Sequence, residues 1–256
     1  MTEPTTETQV LIVDDDPVMG ELLDALLTVE GYRVTRAISG EEALQVARQG
    51  TPKPSVILCD IQMPGMGGGE LARRLAAERA RGVVRSDAVI LAMSGSVPRP
   101  EESQFFDGFL RKPFTVADFS KAIEQVRKPG PHPLAAETGQ RSTDESSNGR
   151  PPLDETIFEQ LKSKIGESLR QLYDMTLDDV RDRLERIGAA AKAGDQATVR
   201  QEAHTIKGSC GMVGALELQA LAAATEGGSP IDTSALADFD SACKRLERML
   251  NERLPA

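Results

Sequence analysis

Residues 55–66 read SVILCDIQMPGM. Val56 to Cys59 is an unbroken apolar run that stops on one aspartate, Asp60, and then turns through Met-Pro-Gly. A short Val/Ile/Leu run with no polar alternation reads as a strand buried on both faces, the form found in parallel sheets covered by helices. The same unit recurs on either side. QVLIV (Gln9–Val13) precedes PVMGELLDALLTVEG, YRVTRA (Tyr32–Ala37) precedes GEEALQVARQG, and SVILCD precedes GGELARRLAAERA. DAVILAMS (Asp87–Ser94) precedes a short polar segment, and GFLRKPF (Gly108–Phe114) leads into TVADFSKAIEQVRK. Five βα units predict a doubly wound α/β sheet, which binds its ligands at the carboxyl ends of its strands.

Beyond Arg127 the pattern changes. Residues 128–152, KPGPHPLAAETGQRSTDESSNGRPP, are rich in Pro, Gly, Ser and Thr without apolar period. They read as a flexible linker spanning roughly 25–30 Å. From 153 to 256 the chain has no strand-like run, and every segment carries helical apolar spacing punctuated by Gly and Asp. That predicts an all-α domain, a bundle of about four long helices with one short leading helix. The organisation is therefore 1–127, a linker over 128–152, and 153–256.

A composition of 39% hydrophobic and 27% charged residues is that of soluble globular material. A net charge of −10, shared almost evenly by the two flanks, argues against general nucleic-acid binding. No apolar run approaches the roughly 20 residues of a membrane span. The N-terminal MTEPTTETQ has neither the basic nor the apolar part of a secretory signal. Cys59, Cys210 and Cys243 show no metal-ligand spacing and read as reduced thiols. The expectation is a cytoplasmic protein without nucleic-acid or membrane partners.

The strand ends carry the chemistry. Asp14, Asp15 and Asp16 follow the first strand, Asp60 ends the third, Ser94 the fourth and Lys112 the fifth. In a doubly wound sheet these ends open onto one edge. A lone Asp at a βα junction is ordinarily a helix N-cap. Capping does not account for Asp, Asp, Ser and Lys at four strand ends, and clustered carboxylates are costly without a cation. Such carboxylates suit Mg²⁺, and a lysine and a hydroxyl opposite suit phosphoryl oxygens.

The set VDD (Val13–Asp15), DIQMPGM (Asp60–Met66), MSG (Met93–Gly95) and KPF (Lys112–Phe114) resembles the receiver domain of two-component response regulators over about residues 8–127. The resemblance implies a flavodoxin-like (βα)5 fold with Asp60 as the phosphoacceptor, a carboxylate nucleophile. It implies Asp14, Asp15, Asp60 and the backbone carbonyl of Gln62 as the Mg²⁺ site. Ser94 and Lys112 would contact the phosphoryl group, and Phe109 matches the family's switch aromatic, with ordinary core packing as the equal alternative. Two departures stand out. Lys112 comes only 18 positions after Ser94, about one helical turn fewer than the family's usual spacing, which leaves little room for a fourth helix. GMGGGEL (Gly65–Leu71) has glycine where an Asp or Asn usually caps the third helix, so a mobile loop is expected there.

The second half holds EAHTIKGSCGMVG, Glu202–Gly214, with one of the chain's two histidines. On a helix, Val199, Ala203, Ile206 and Cys210 form the core stripe, which places His204 roughly 130° away, on the solvent side. Lys207 and Gly208 follow at i+3 and i+4. A neutral solvent-facing imidazole is a nucleophile, Lys207 could neutralise phosphoryl oxygens, and Gly208 clears a partner's approach. Met212 and Val213 would offer apolar docking surface. HTIKGS followed by GMVGA resembles the histidine phosphotransfer (HPt) domain over about residues 153–250. The resemblance implies that His204 is the phosphoryl carrier, assisted by Lys207 and Gly208. His132, in the linker, has no such surroundings.

Nothing in the sequence reads as an ATP site, so a phosphoryl carrier is expected, not an enzyme. The leading expectation is a phosphorelay intermediate between a sensor or hybrid histidine kinase and a downstream receiver. The alternative is a gate, in which phosphorylated Asp60 controls access to the HPt domain without internal transfer. An aspartyl-phosphate hydrolase would need a D-x-D-G-T loop after the first strand, and VDDDPVMG lacks the Gly-Thr.

Overall fold

The computed structural model describes residues 8–95, 100–128, 151–229 and 231–254. The linker residues 129–150, with His132, lie outside the described residues. The chain divides into two compact units. In the first, β1 (Gln9–Val13), β2 (Arg33–Ala37), β3 (Val56–Asp60), β4 (Val89–Ser94) and β5 (Gly108–Arg111) alternate with α1 (Pro17–Val29), α2 (Gly40–Gln49), α3 (Gly68–Ala80), α4 (Pro100–Ser103) and α5 (Val116–Arg127). All pairings are parallel and the order is β2-β1-β3-β4-β5.

The pleat sorts the side chains. Leu11, Val13, Ile57, Cys59, Ile90 and Ala92 point to one face and pack with Leu44, Ala47, Leu71 and Leu75 of α2 and α3. Ile57 and Leu58 are both fully buried although they point to opposite faces. Each contributes about 1.5–3 kcal/mol of burial free energy. The same alternation sends Asp14 and Asp60 to the face opposite α2 and α3. α4 is a single turn of four residues, as the short Ser94–Lys112 spacing requires. Phe105 and Phe109 are partly buried against the α2–α3 core, and Phe106 lies inside it.

The second unit is helical: α6 (Glu155–Ile165), α7 (Ser168–Ala193), α8 (Gln196–Met212), α9 (Leu216–Glu226) and α10 (Thr233–Arg253). α6 is the short leading helix. α8 packs against both α7 and α9. Arg183 and Arg186 of α7 hold Glu202 of α8, with Arg183 Nη1 2.9 Å from Glu202 Oε2. The Tyr173 hydroxyl donates to the Val213 carbonyl at 2.8 Å, satisfying a helix-end acceptor that α8 itself cannot. Among the described residues no helix is long and apolar enough to cross a membrane.

Candidate functional site

At the carboxyl edge of the sheet, Lys112 follows β5 and its backbone N–H donates to Ser94 O at 2.8 Å. Thr115 and Asp118 form a capping box that starts α5 just beyond it, fixing the turn that carries Lys112. The Lys112 side chain, 7% exposed, sends its ammonium to Asp60 Oδ2 at 2.7 Å and Asp14 Oδ2 at 3.0 Å. The other Asp60 oxygen, Oδ1, accepts the Gln62 backbone N–H at 2.9 Å. Asp14 Oδ1 accepts the Asp16 N–H at 2.9 Å, and Asp16 caps α1 through Val18 N. The capping reading is therefore true of Asp16, while Asp14 turns into the site. Ser94 is buried, and because Met93 is the register partner of Asp60, Ser94 stands one residue beyond it at the same edge.

One cation serves two buried carboxylates. Burial disfavours the Lys112 ammonium, yet Asp14 and Asp60 outweigh it and hold the amine above its ordinary value. Asp14 is the carboxyl left short. Burial, with the charges of Asp60 and Asp16, pushes it above the usual carboxylate range against the pull of Lys112. Oxygen donors carrying surplus negative charge are the donor set that a hard divalent cation takes. Asp15 is half-buried beside them and Gln62 is exposed. Among the described residues no three His, Cys, Asp or Glu side chains already converge as a metal cage.

The glycine-rich loop has a packing reason. Gly67 is the N-cap of α3 and supplies no side-chain cap, as the sequence indicated. A Cβ on Gly68 would lie 2.2 Å from Asp60 O, so only glycine lets α3 start against the backbone at the end of β3.

In the helical unit the structure corrects the sequence expectation. His204 does not face solvent: it is 8% exposed. The helical wheel assigned α8 one core stripe, but α8 is covered by α7 on one side and α9 on another. A Cβ on Gly211 would lie 2.6 Å from Gln219 Nε2, so this glycine marks where α9 comes close. His204 lies seven residues before Gly211, and Glu226 seven after Gln219. The two helices run antiparallel along one seam, and α9 delivers Glu226 to the imidazole. His204 Nδ1 lies 2.6 Å from Glu226 Oε1, and Lys207 Nζ pairs with Glu226 Oε2. Lys207 is thus held by a carboxylate and does not stand unpartnered beside the ring. Gly208 is half-buried. Met212 and Val213, expected on a docking surface, are core residues at 5% and 0% exposure.

Glu226 is the residue that sequence reading missed. Burial works against its charge, but hydrogen bonds from His204 and Lys207 prevail and draw its carboxyl down to about 2. Its only sequence signal is a carboxylate at the end of an Ala-rich helix, just before Gly227-Gly228. That does not say which neighbouring helix it faces.

Residues 10–124 match the response regulator receiver domain family, and residues 171–254 match the Hpt domain family. The chain is 37% identical over 133 residues to the positive alginate biosynthesis regulatory protein of Pseudomonas aeruginosa, covering 50% of this chain and 51% of that one. It is 31% identical over 129 residues to the two-component response regulator ORR6 of Oryza sativa subsp. japonica, covering 49% of this chain and 74% of that one. Similarity to the virulence sensor protein BvgS of Bordetella pertussis extends over 83% of this chain at 27% identity, but over 17% of that protein. The chain spans about half or less of the length of the first curated relatives it matches. Both matched domains are phosphotransfer signalling modules, and the chain belongs to the two-component response-regulator family, carrying a receiver domain and a histidine phosphotransfer domain in one polypeptide.

Proposed function

We propose that the protein is a phosphorelay intermediate, accepting a phosphoryl group on Asp60, on His204 or on both, and passing it between a partner histidine kinase and a downstream receiver. The observation that carries this reading is the presence, in one chain, of two nucleophiles each set with a lysine: Asp60 pairs directly with Lys112, and His204 shares the carboxylate of Glu226 with Lys207. An Asp60 oxygen bonds to phosphorus as the donor's leaving group departs with the bonding electrons. Lys112 is positioned to pair with the incoming phosphoryl oxygens, and the Ser94 hydroxyl to donate to them. Asp14, Asp15, Asp60 and the Gln62 carbonyl would hold Mg²⁺, which when bound neutralises phosphoryl charge. Phe109, packed on the α2–α3 core, would carry the phosphorylated state outward. In the bundle, His204 is the carrier, with Lys207 and Gly208 beside it.

The domain limits proposed are 1–127 and 153–256, joined by the linker over 128–152. A linker of that composition sets an effective concentration on the order of mM between the two sites. The burial of His204 favours one second reading, in which phosphorylated Asp60 gates a partner and no phosphohistidine forms. The test is to incubate the protein with acetyl phosphate and Mg²⁺ and locate the label by mass and by acid against alkali stability. Wild type, Asp60→Ala and His204→Ala run in parallel. An acid-labile, alkali-stable label on His204 that disappears in Asp60→Ala supports the internal relay. A label confined to Asp60 supports the gate.

A further inference from the structure

We propose that Met66 is a positioning residue of the Asp60 site: seated in a notch that Gly40 leaves at the start of α2, it holds residues 61–67 in place and so sets how tightly the site takes a divalent cation. This rests on the reading of Asp60 as a phosphoacceptor that works with Mg²⁺. Residues 61–67 join β3 to α3 and include Gln62, whose N–H donates to Asp60 Oδ1 at 2.9 Å. The Gly68 N–H donates to the Ile61 carbonyl at 3.0 Å and closes the base of the loop. Between those two bonds Pro64 and Gly65 are exposed, while Met63 and Met66 turn inward and are 8% and 7% exposed. Both methionines belong to the core that α2 and α3 share. Gly67 gives α3 no side-chain cap, so the loop is held from the inside, by its buried methionines.

Gly40 is what admits Met66. A Cβ there would lie 2.9 Å from Met66 Cβ and Sδ and 3.0 Å from its Cγ. Gly40 is not among the glycines of positive φ, so its backbone suits an L side chain, and alanine is the better helix former. The room for Met66 is what calls for glycine. The start of α2 is also fixed: Ser39 Oγ accepts the Glu42 N–H at 3.2 Å, and Glu42 Oε2 accepts the Ile38 N–H at 2.9 Å. Met66 Cβ is bonded to the loop backbone, so no rotamer change relieves a contact at Gly40, and the loop itself has to move. A cation that takes the Gln62 carbonyl meets a loop already ordered. Released from Gly40, a loop with glycine at 65 and 67 has to be ordered at each binding event.

A merely structural Met66 would fill the core, and changing it would alter stability alone. The test uses the full chain as wild type, Met66→Ala, Gly40→Ala, Met66→Leu and the Gly40→Ala/Met66→Ala double variant. Three quantities are read: Mg²⁺ affinity by calorimetry, amide hydrogen exchange at Gln62 and Gly68 without metal, and melting temperature. Met66→Ala and Gly40→Ala should each weaken Mg²⁺ binding about 10–100-fold, the usual loss when a metal ligand loses its support, and speed exchange at both amides. Met66→Leu keeps the buried contact and should restore most of the affinity. The double variant should lose no more than the worse single, because the two changes remove one contact. Leu75→Ala, buried in the same core two turns into α3, should lower the melting temperature and leave the affinity and both amides unchanged. Variants at Met66 and Gly40 that lower the melting temperature but keep wild-type affinity and exchange would overturn the proposal, as would fully additive losses in the double variant. Mg²⁺ binding that survives Asp14→Asn and Asp60→Asn, or no label on Asp60 from acetyl phosphate, would overturn the phosphoacceptor reading instead. Exchange at Gln62 and Gly68 would then still decide whether Met66 holds the loop.

Discussion

The two sites are built in opposite senses. In the receiver one lysine, Lys112, is shared by two carboxylates, so the strand edge holds more negative than positive charge. In the bundle one carboxylate, Glu226, is shared by an imidazole and a lysine, so the charges match. The difference follows from the elements that present them. Parallel strands bring the ends of four runs to one edge, which lets charges from distant sequence positions accumulate there. A helix presents a side chain every 100° or so, and a site on it is completed by whichever neighbour packs against that face.

The largest effects are those that remove the nucleophiles, and they test whether the two sites form one path. Asp60→Asn should lower label on that residue by on the order of a thousandfold or more, and His204→Gln should do the same at its own position. If each loss stays local, the sites are charged separately. If Asp60→Asn also empties His204, they are sequential.

The next effect contrasts the two lysines. Lys112→Met leaves two buried carboxylates without their shared partner and should destabilise the receiver by about 3–5 kcal/mol in denaturant unfolding. Lys207, 19% exposed and paired with a carboxylate that also has His204, should cost about 1 kcal/mol or less when changed to Met. Equal losses would erase the distinction between an accumulated and a matched site.

Gly68→Ala is expected to follow, at about 3 kcal/mol, because the added carbon meets the Asp60 carbonyl, which is backbone and cannot swing aside. Receiver phosphorylation should fall with it. An unchanged melting point and label would mean that α3 has room to shift, and that the glycines serve only as flexible loop.

How much of this was legible differs between the halves for the same reason. Gln9–Val13 was read as a strand to the residue, and the charged strand ends were placed on one edge, because a parallel sheet has one carboxyl edge whatever its twist. The short α4 followed from counting residues. The bundle's helices were legible from their periodicity, but the exposure of His204 was not. That required knowing that Gly211 brings α9 onto the flank of α8. Gly68, the first residue of α3, shows a related limit: the sequence shows that a side chain is missing, and the neighbour that requires its absence, the Asp60 carbonyl, appears only in three dimensions.

The smallest effect tests the matched site most directly, through pH. Glu226 has its carboxyl drawn down to about 2 from an ordinary value of 4.5. A depressed carboxylate contributes stability that is fully present above the unfolded value and is lost as pH falls through the folded one. The window therefore runs from about 4.5 down to about 2. At pH 7 Glu226→Gln should lower the stability of the helical unit by about 1–2 kcal/mol, a discount on the full linkage value because the side chain is 27% exposed. Denaturant unfolding of both proteins at pH 7, 4 and 2.5 should show the gap narrowing as wild-type Glu226 takes up its proton. A gap that stays constant would mean the carboxylate gains nothing from His204 and Lys207. The bundle's charges would then lie side by side without being matched, and the contrast with the receiver would rest on its strand ends alone.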